Sequence, residues 1–210
     1  AGTRLKGATL KLETYFKVRG KGNKIIKQGA RCAAKIYIHG NNNTIIFKKG
    51  SYVANIPIHI RGDNHYIEIG ENVTILNRLG WCDILCEGMN NKIIIGTGTS
   101  IQSAHINAQE TDTMIRIGKN CMLSECIIIR TSDSHPIFSE KGRINPAKSV
   151  YIEDNVWISA RAIILKGTII HSNSVIGVGS IVSHDIPANA IAVGSPAKIK
   201  KEGIWWKSKL

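Results

Sequence analysis

The stretch from Arg130 to Pro146 is polar, contains Gly142 and two prolines, and holds a histidine, His135, between Ser134 and Pro136. An alcohol is a poor nucleophile at neutral pH, and an imidazole, with a pKa near working pH, is suited to taking its proton. The plainer reading of His135 is a loop histidine making one ordinary hydrogen bond. Asp133, two residues earlier, either orients that imidazole or caps the turn, and the turn role is favoured. A second candidate is Trp157, which stands where the local repeat calls for a polar or small residue. Packing of its bare ring against a neighbouring subunit is the structural alternative.

These side chains are embedded in a repeat. From Val150 to Asp185 an aliphatic residue recurs at every sixth position: Ile152, Ile158, Ile164, Ile170, Ile176 and Val182. Two residues ahead of each stands another inward candidate: Val150, Val156, Ala162, Thr168, Ser174 and Ser180. A period of six fits neither a helix at 3.6 nor a long strand at 2. It fits short strands joined by turns, stacked into a solenoid in which no coil buries its apolar edge alone. Upstream the repeat loosens. Asn-containing turns followed by alternating aliphatics place Phe47, Ile69, Ile95 and Ile117 in equivalent positions, 22, 26 and 22 residues apart. Each of these coils therefore carries a few extra residues at a corner, and at most about six coils precede Val150. The expected organisation is an N-terminal cap or irregular first coil over residues 1–30, a solenoid over 31–190 interrupted by a loop at 130–147, and a basic tail over 191–210.

Composition bounds the function classes. Lys plus Arg number 28 against 15 Asp plus Glu, a net charge of +13, which favours a polyanionic partner over a neutral one. Nucleic acid is disfavoured, because no basic stretch is interleaved with aromatics and no helical reading motif is present. No apolar run approaches a membrane span and no signal-peptide pattern is visible, so a cytoplasmic protein without a transmembrane segment is expected. The five cysteines (Cys32, Cys82, Cys86, Cys121, Cys126) are odd in number and lie inside repeat segments, as small core residues in a reducing compartment would. Cys82 and Cys86 are four apart, but nothing supplies the other half of a zinc site, and no metal is expected.

The hexads, the run Asp154-Asn-Val-Trp157-Ile-Ser-Ala160 and the closing Ala192-Val-Gly-Ser-Pro-Ala-Lys198 resemble the left-handed parallel β-helix acyltransferases of the hexapeptide-repeat family. The segment Arg130-x-x-Asp133-x-His135-x-Ile137, with Ile144-Asn-Pro146 and Trp157, is similar to the capsule polysaccharide O-acetyltransferases of that family, including those that modify sialic-acid capsules. The resemblance implies an all-β fold, a left-handed parallel β-helix with a protruding loop and a short C-terminal cap. It also implies a homotrimer with active sites between subunits and acetyl-coenzyme A as donor.

Under that resemblance His135 is the general base for direct transfer, without a covalent acetyl-enzyme. Trp157 walls the site, its indole N–H donating to the acetyl carbonyl or to the acceptor sugar, and Arg130 contacts the acceptor. Ser159, Ala160, Gly177 and Gly179 give the pantetheine arm a narrow slot, although tight turns alone also call for glycine. Ser183 and His184 match a Thr-Lys pair near the coenzyme phosphates; histidine in place of lysine makes the charge there pH-dependent. Lys198 and Lys201 match basic positions after the Pro-Ala-Lys turn, or are solvated surface charges. Trp205 or Trp206 stacks on the adenine or caps the core, the cap being favoured. The net charge suits an acidic polysaccharide acceptor. Two alternatives stand beside this reading: an N-acetyltransferase of an amino sugar or its nucleotide, and a zinc-bearing or purely binding β-helix built on some of the seven histidines.

Overall fold

The computed structural model describes residues 14–77 and 80–208, so most of the first half of the expected N-terminal cap, residues 1–13, lies outside the described residues. The fold is the expected left-handed parallel β-helix, a β-solenoid of about eight turns. Its three faces follow from strand pairing. Face C stacks Lys24–Lys27, Thr44–Phe47, Tyr66–Ile69, Lys92–Ile95, Met114–Ile117, Val150–Ile152 and Ile169–Ile170. Faces A and B form one fifteen-stranded sheet, because Arg31–His39 and Tyr52–Asp63 bend around a corner and pair on both. Below them, face B continues through Thr74–Ile75, Ser100–Ile101, Met122–Leu123, Trp157–Ile158 and Val175–Ile176. Face A continues through Asp83–Met89, Ala104–Thr111, Ile127–Arg130, Ile163–Ile164 and Ile181–Val182.

Register confirms the repeat. Phe47, Ile69, Ile95, Ile117, Ile152 and Ile170 stand one above another on face C. All twelve inward positions read from the hexads are buried, Thr168, Ser174 and Ser180 included. The core is a column of Ile and Val, whose branched side chains suit a pleated surface buried on one side. At ~4.8 Å between stacked strands each coil adds one layer to that column.

The corner from face A to face C is polar inside. Asn43, His65, Asn91, Thr113 and Thr131 are buried there in successive coils. Asn43 Oδ1 accepts from the His65 amide at 2.8 Å, His65 Nδ1 from the Asn91 amide at 3.1 Å, and Asn91 Oδ1 from the Thr113 amide at 2.9 Å. The Thr113 and Thr131 hydroxyls meet at 3.1 Å. A corner cannot complete a sheet ladder, so its backbone amides need side-chain partners. Before each of the first four of these residues stands one with left-handed backbone: Asn42, Asn64, Asn90 and Asp112, at φ from 56° to 60°. Asparagine and aspartate tolerate that region best among non-glycine residues, which explains the recurring Asn turns.

The C-terminus closes the prism differently. Lys198–Lys201 turns back and pairs antiparallel with Ile191–Val193, and Ala197 is buried beneath the last coil. The expected cap is thus a strand. All five cysteines are free, and burial pushes the Cys82 and Cys121 thiols up to about 11. No helix of the described residues is long and apolar enough to cross a membrane.

Candidate active site

The polar corner ladder ends at Thr131, and there the chain leaves the prism. It returns at Val150, so Ile117 and its partner Ile152 are 35 residues apart where a bare coil needs 18. The excursion is a structured loop. Phe138–Ser139 and Gly142–Arg143 pair antiparallel at its tip, and the Lys148 amide donates to the Thr131 carbonyl at 2.9 Å at its base. Asn145, buried within it, is the hub. Its Nδ2 donates to the His135 carbonyl at 2.9 Å and to Asp133 Oδ2 at 2.8 Å, and its Oδ1 accepts from the Ile137 amide at 2.6 Å. Those bonds hold the backbone on both sides of His135 and leave the residue exposed at the loop surface.

Two ion pairs tie the loop to the solenoid, one from each side. Arg143 forks onto Glu110 above, with both Nη–Oε distances 2.7 Å, and that guanidinium holds the Glu110 carboxyl below its usual range. Lys166, one coil below, donates to Asp133 Oδ2 at 2.5 Å and to the Asn145 carbonyl at 3.0 Å, and it lowers the Asp133 carboxyl in the same way. Asp133 therefore serves Lys166 and Asn145; the structure gives it no bond to the imidazole two residues on. Arg130 Nη2 donates to Ser134 Oγ at 3.0 Å, at the foot of the same loop.

Glu110 itself occupies a position that is glycine elsewhere. Gly40, Gly62 and Gly88 stack at the end of face A, and a Cβ on any of them would lie within 2.0 Å of a carbonyl oxygen in the next coil. Glu110 pairs in register with Gly88 and keeps a left-handed φ of 71°. It is tolerated because the following coil opens into the loop at that height, and its carboxylate takes up Arg143 and the Ser132 hydroxyl at 2.6 Å. Lys166, Arg143 and Glu110 were missed in the sequence, and Asn145 was quoted there only within Ile144-Asn-Pro146, without a role. The Asn145-Pro146 dipeptide within the break was the one available signal; the others join segments 21 to 33 residues apart.

The structure sorts the other candidates into separate places. Ser159, Ala160, Gly177 and Gly179 come together at the corner from face B to face A, where the Gly179 amide donates to the Ala160 carbonyl at 2.9 Å. The turn alone does not demand glycine there. Cys126 and Arg161 hold φ 57° and 61° at this corner in the two coils above, and a Cβ on Gly179 would meet nothing within 4 Å. The absent side chain leaves open space beside the backbone at Gly179, whereas a Cβ on Gly177 would meet Val193 Cγ1 at 2.5 Å. Ser183 and His184 stand exposed at the corner from face A to face C, two coils below the His135 loop. Lys198 and Lys201 lie on the exposed antiparallel end strand.

Trp157 is on face B, between Met122 and Val175, opposite the corner that bears the loop. Within one chain the prism separates it from His135. It is packed by its own tail: the Trp206 ring lies 5.9 Å away, tilted by 47°, with Nε1–H donating to the Asn155 carbonyl at 2.8 Å. Trp205 is exposed, with Lys207 Nζ 5.1 Å from its ring centre.

Comparison with known proteins places this arrangement in a family. Residues 149–184, the six hexads, match the family described as bacterial transferase hexapeptide (six repeats). A crystal structure of a polySia-specific acetyltransferase superposes with a TM-score of 0.82 at 34% identity, covering 94% of this chain and 89% of that one. The chain belongs to the hexapeptide-repeat transferase family. A second member of the family, a polysialic acid O-acetyltransferase, superposes at TM-score 0.76 with 30% identity over 92% of this chain and 91% of that one. A polysialic acid O-acetyltransferase of Escherichia coli O1:K1 / APEC is 38% identical over 118 residues. That match takes in 55% of this chain and 38% of the relative, so the chain spans well under half the length of this curated hexapeptide-repeat relative.

Proposed function

We propose that this protein is an acetyl-coenzyme A-dependent O-acetyltransferase that acetylates a hydroxyl of an acidic, sialic-acid-containing surface polysaccharide. The observation that carries this reading is the likeness, over nearly the whole chain, to two transferases named for polysialic acid. The charge of +13 agrees with a polyanionic acceptor. In the proposed step the His135 imidazole accepts the proton of the acceptor hydroxyl as its oxygen bonds to the thioester carbonyl carbon. The carbon–sulfur bond then breaks, and the imidazolium returns the proton to the departing thiolate. No covalent acetyl-enzyme is required.

The donor's pantetheine arm is assigned to the corner that holds Ser159, Ala160, Gly177 and Gly179, and its phosphates to the cations around His184, Lys198 and Lys201. Trp157 supplies an indole N–H donor near the oxyanion. Because His135 and Trp157 occupy opposite sides of one prism, a site using both draws them from two protomers. A homotrimer with sites at its clefts, the assembly that the family resemblance implies, would supply two such protomers to each site. Arg130, beside the loop, is assigned to an acceptor carboxylate, and Asp133 to positioning the loop. A cytoplasmic setting, where the five free thiols stay reduced, suits the donor.

The test is thiol release from acetyl-coenzyme A with a panel of acidic and neutral polysaccharides. Release with a sialic-acid polymer and none with dextran is expected; release only with an amino sugar would replace the reading by N-acetylation. His135→Ala should lower the rate by about 10²–10⁴-fold with the assembly intact. An unchanged rate removes His135 from the mechanism.

A further inference from the structure

Far from the loop, face A of the first coils carries a cleft of about 280 Å³ lined by Lys17, Arg19, Tyr37, His39, His59 and Arg61, among others. Register builds it. Tyr15–Arg19 pairs with Lys35–His39, which pairs with Pro57–Arg61, so Lys17, Tyr37 and His59 form one outward column and Arg19, His39 and Arg61 the next. The alternate residues, Ile36, Ile38, Ile58 and Ile60, point into the core. The carboxylates nearest in register are already engaged: Asp63 accepts from the Asn41 amide at 2.7 Å, and Glu87 meets Arg61 at 3.3 Å.

The two rings of the first column stack on each other, centroids 4.9 Å apart and planes 9° from parallel. Burial and the adjacent Arg61 lower the His59 pKa, favouring a neutral ring. One face of each ring is taken by the other and Tyr15 tilts against Tyr37 at 5.8 Å, so no gap between these rings is free for a base, the stacking slot that a single-stranded nucleic acid would need. They leave edges bearing a hydroxyl and ring nitrogens, suited to sugar hydroxyls, flanked by cations suited to carboxylates.

The cleft is connected to the loop. The column continues from His59 through Leu85 and Asn107 to Arg130. Beside it Arg61 reaches Glu87, Gln109 Nε2 donates to Glu87 at 3.1 Å, and Ser134 Oγ donates to Gln109 Oε1 at 3.3 Å. A second, smaller cleft of about 230 Å³ lies along that polar line, lined by Glu87, Gln109, Glu110, Ser132 and Ser134. Four strand steps separate Tyr37 from Arg130, ~19 Å at ~4.8 Å per step.

We propose that the cleft on the N-terminal coils is a remote subsite for the acidic acceptor polymer, holding its chain several sugar units from the residue that reaches His135. This rests on the proposed function for the identity of the polymer. A chain long enough to touch both places binds the second intramolecularly, so length itself confers affinity.

The test compares the wild-type protein with an Arg19→Ala/His39→Ala/Arg61→Ala variant, whose three side chains are exposed. Equilibrium binding of a long sialic-acid polymer is measured without acetyl donor, at low and high salt, with a single-stranded oligonucleotide as competitor. KM is measured for the polymer and for a sialic-acid dimer. We expect polymer binding to weaken and polymer KM to rise by about tenfold, a loss of about 1.4 kcal/mol. The dimer KM, kcat and melting temperature should stay unchanged, and the salt dependence of polymer binding should flatten. Equal effects on polymer and dimer, or an oligonucleotide that outcompetes the glycan, overturn the subsite. If no polysaccharide is acetylated the transferase reading falls, while the binding measurement still decides whether the cleft holds an acidic glycan.

Discussion

The coils above the loop and those below share one core and differ at their edges. On face A the strands Asp83–Met89 and Ala104–Thr111 above the loop run seven and eight residues, whereas Ile163–Ile164 and Ile181–Val182 below it have two each. The corner at the end of those long strands is held above by the buried relay from Asn43 to Thr131, in which each side chain serves the next coil. Below, Thr168 and Ser174 are equally buried, but each hydroxyl bonds a carbonyl three residues back in its own turn. In the bare 18-residue coils these two buried hydroxyls bond locally, and coil-to-coil bonds are made elsewhere, by Asn155 with Asn173 at 2.9 Å and by Ser180 Oγ with the Gly194 amide at 3.1 Å. A widened coil lays out more outward surface and needs its neighbours to close its corner.

That contrast predicts unequal costs for equally buried polar residues. Asn91 Nδ2 donates to the Glu87 and Glu110 carbonyls at 2.9 and 2.8 Å, and its Oδ1 accepts from both the amide and the hydroxyl of Thr113. Asn91→Ala strands several buried groups, each costing ~1–3 kcal/mol, so a loss of about 3 kcal/mol or more is expected. Ser174→Ala removes one local bond and should cost about 1 kcal/mol. Urea denaturation of the two variants checks the difference; equal losses would mean that the relay between coils contributes nothing beyond local bonds.

How much of this was legible follows the same division. Below the loop the period is strict, and every inward residue from Val150 to Val182 could be read because each turn has the same length. Above it the Asn turns and aliphatic alternation sufficed to align Phe47, Ile69, Ile95 and Ile117, although the coil lengths vary. The polar break gave the loop and His135. What it could not give was which face each outward residue occupies. Trp157 and His135 are 22 residues apart in the chain, but one hexad step moves a residue to another side of the prism. Contacts of Asn145, Lys166 and Glu110 depend on stacking heights that no local pattern encodes, and the tail after Lys198 has no period to follow.

The loop bridges the two regions through one ion pair to each, which makes its attachment titratable. Arg143 lowers the Glu110 pKa, and Lys166 lowers that of Asp133. A carboxyl depressed in the folded state contributes stability that is fully present above its unfolded value and lost as pH falls through the folded one. The melting temperature of wild type should therefore exceed that of Glu110→Gln at neutral pH. The gap should close as the pH drops below the ordinary carboxylate range. Asp133→Asn should show the same sign with a smaller gap, since its carboxylate is more exposed than that of Glu110 and meets a single ammonium instead of a forked guanidinium. A gap that persists in acid would assign the effect of these residues to packing.

The smallest effect belongs to the one place where the chain's end returns to the regular coils. After the antiparallel strand Lys198–Lys201, the Ile204 amide donates to the Asn189 carbonyl at 2.9 Å, and Trp206 lands against Trp157. Removing the second ring takes away one tilted aromatic contact, ~0.5–1.5 kcal/mol, together with a single indole bond to the Asn155 carbonyl. Trp206→Ala should thus cost about 1 kcal/mol in denaturant and increase acrylamide quenching of the remaining tryptophans, because Trp157 loses its cover. Trp206→Phe keeps a ring and loses the donor, so it should restore most of the shielding and only part of the stability. If both variants quench like wild type, the tail does not rest on Trp157 in solution, and that ring is open on the face where the proposed assembly needs it.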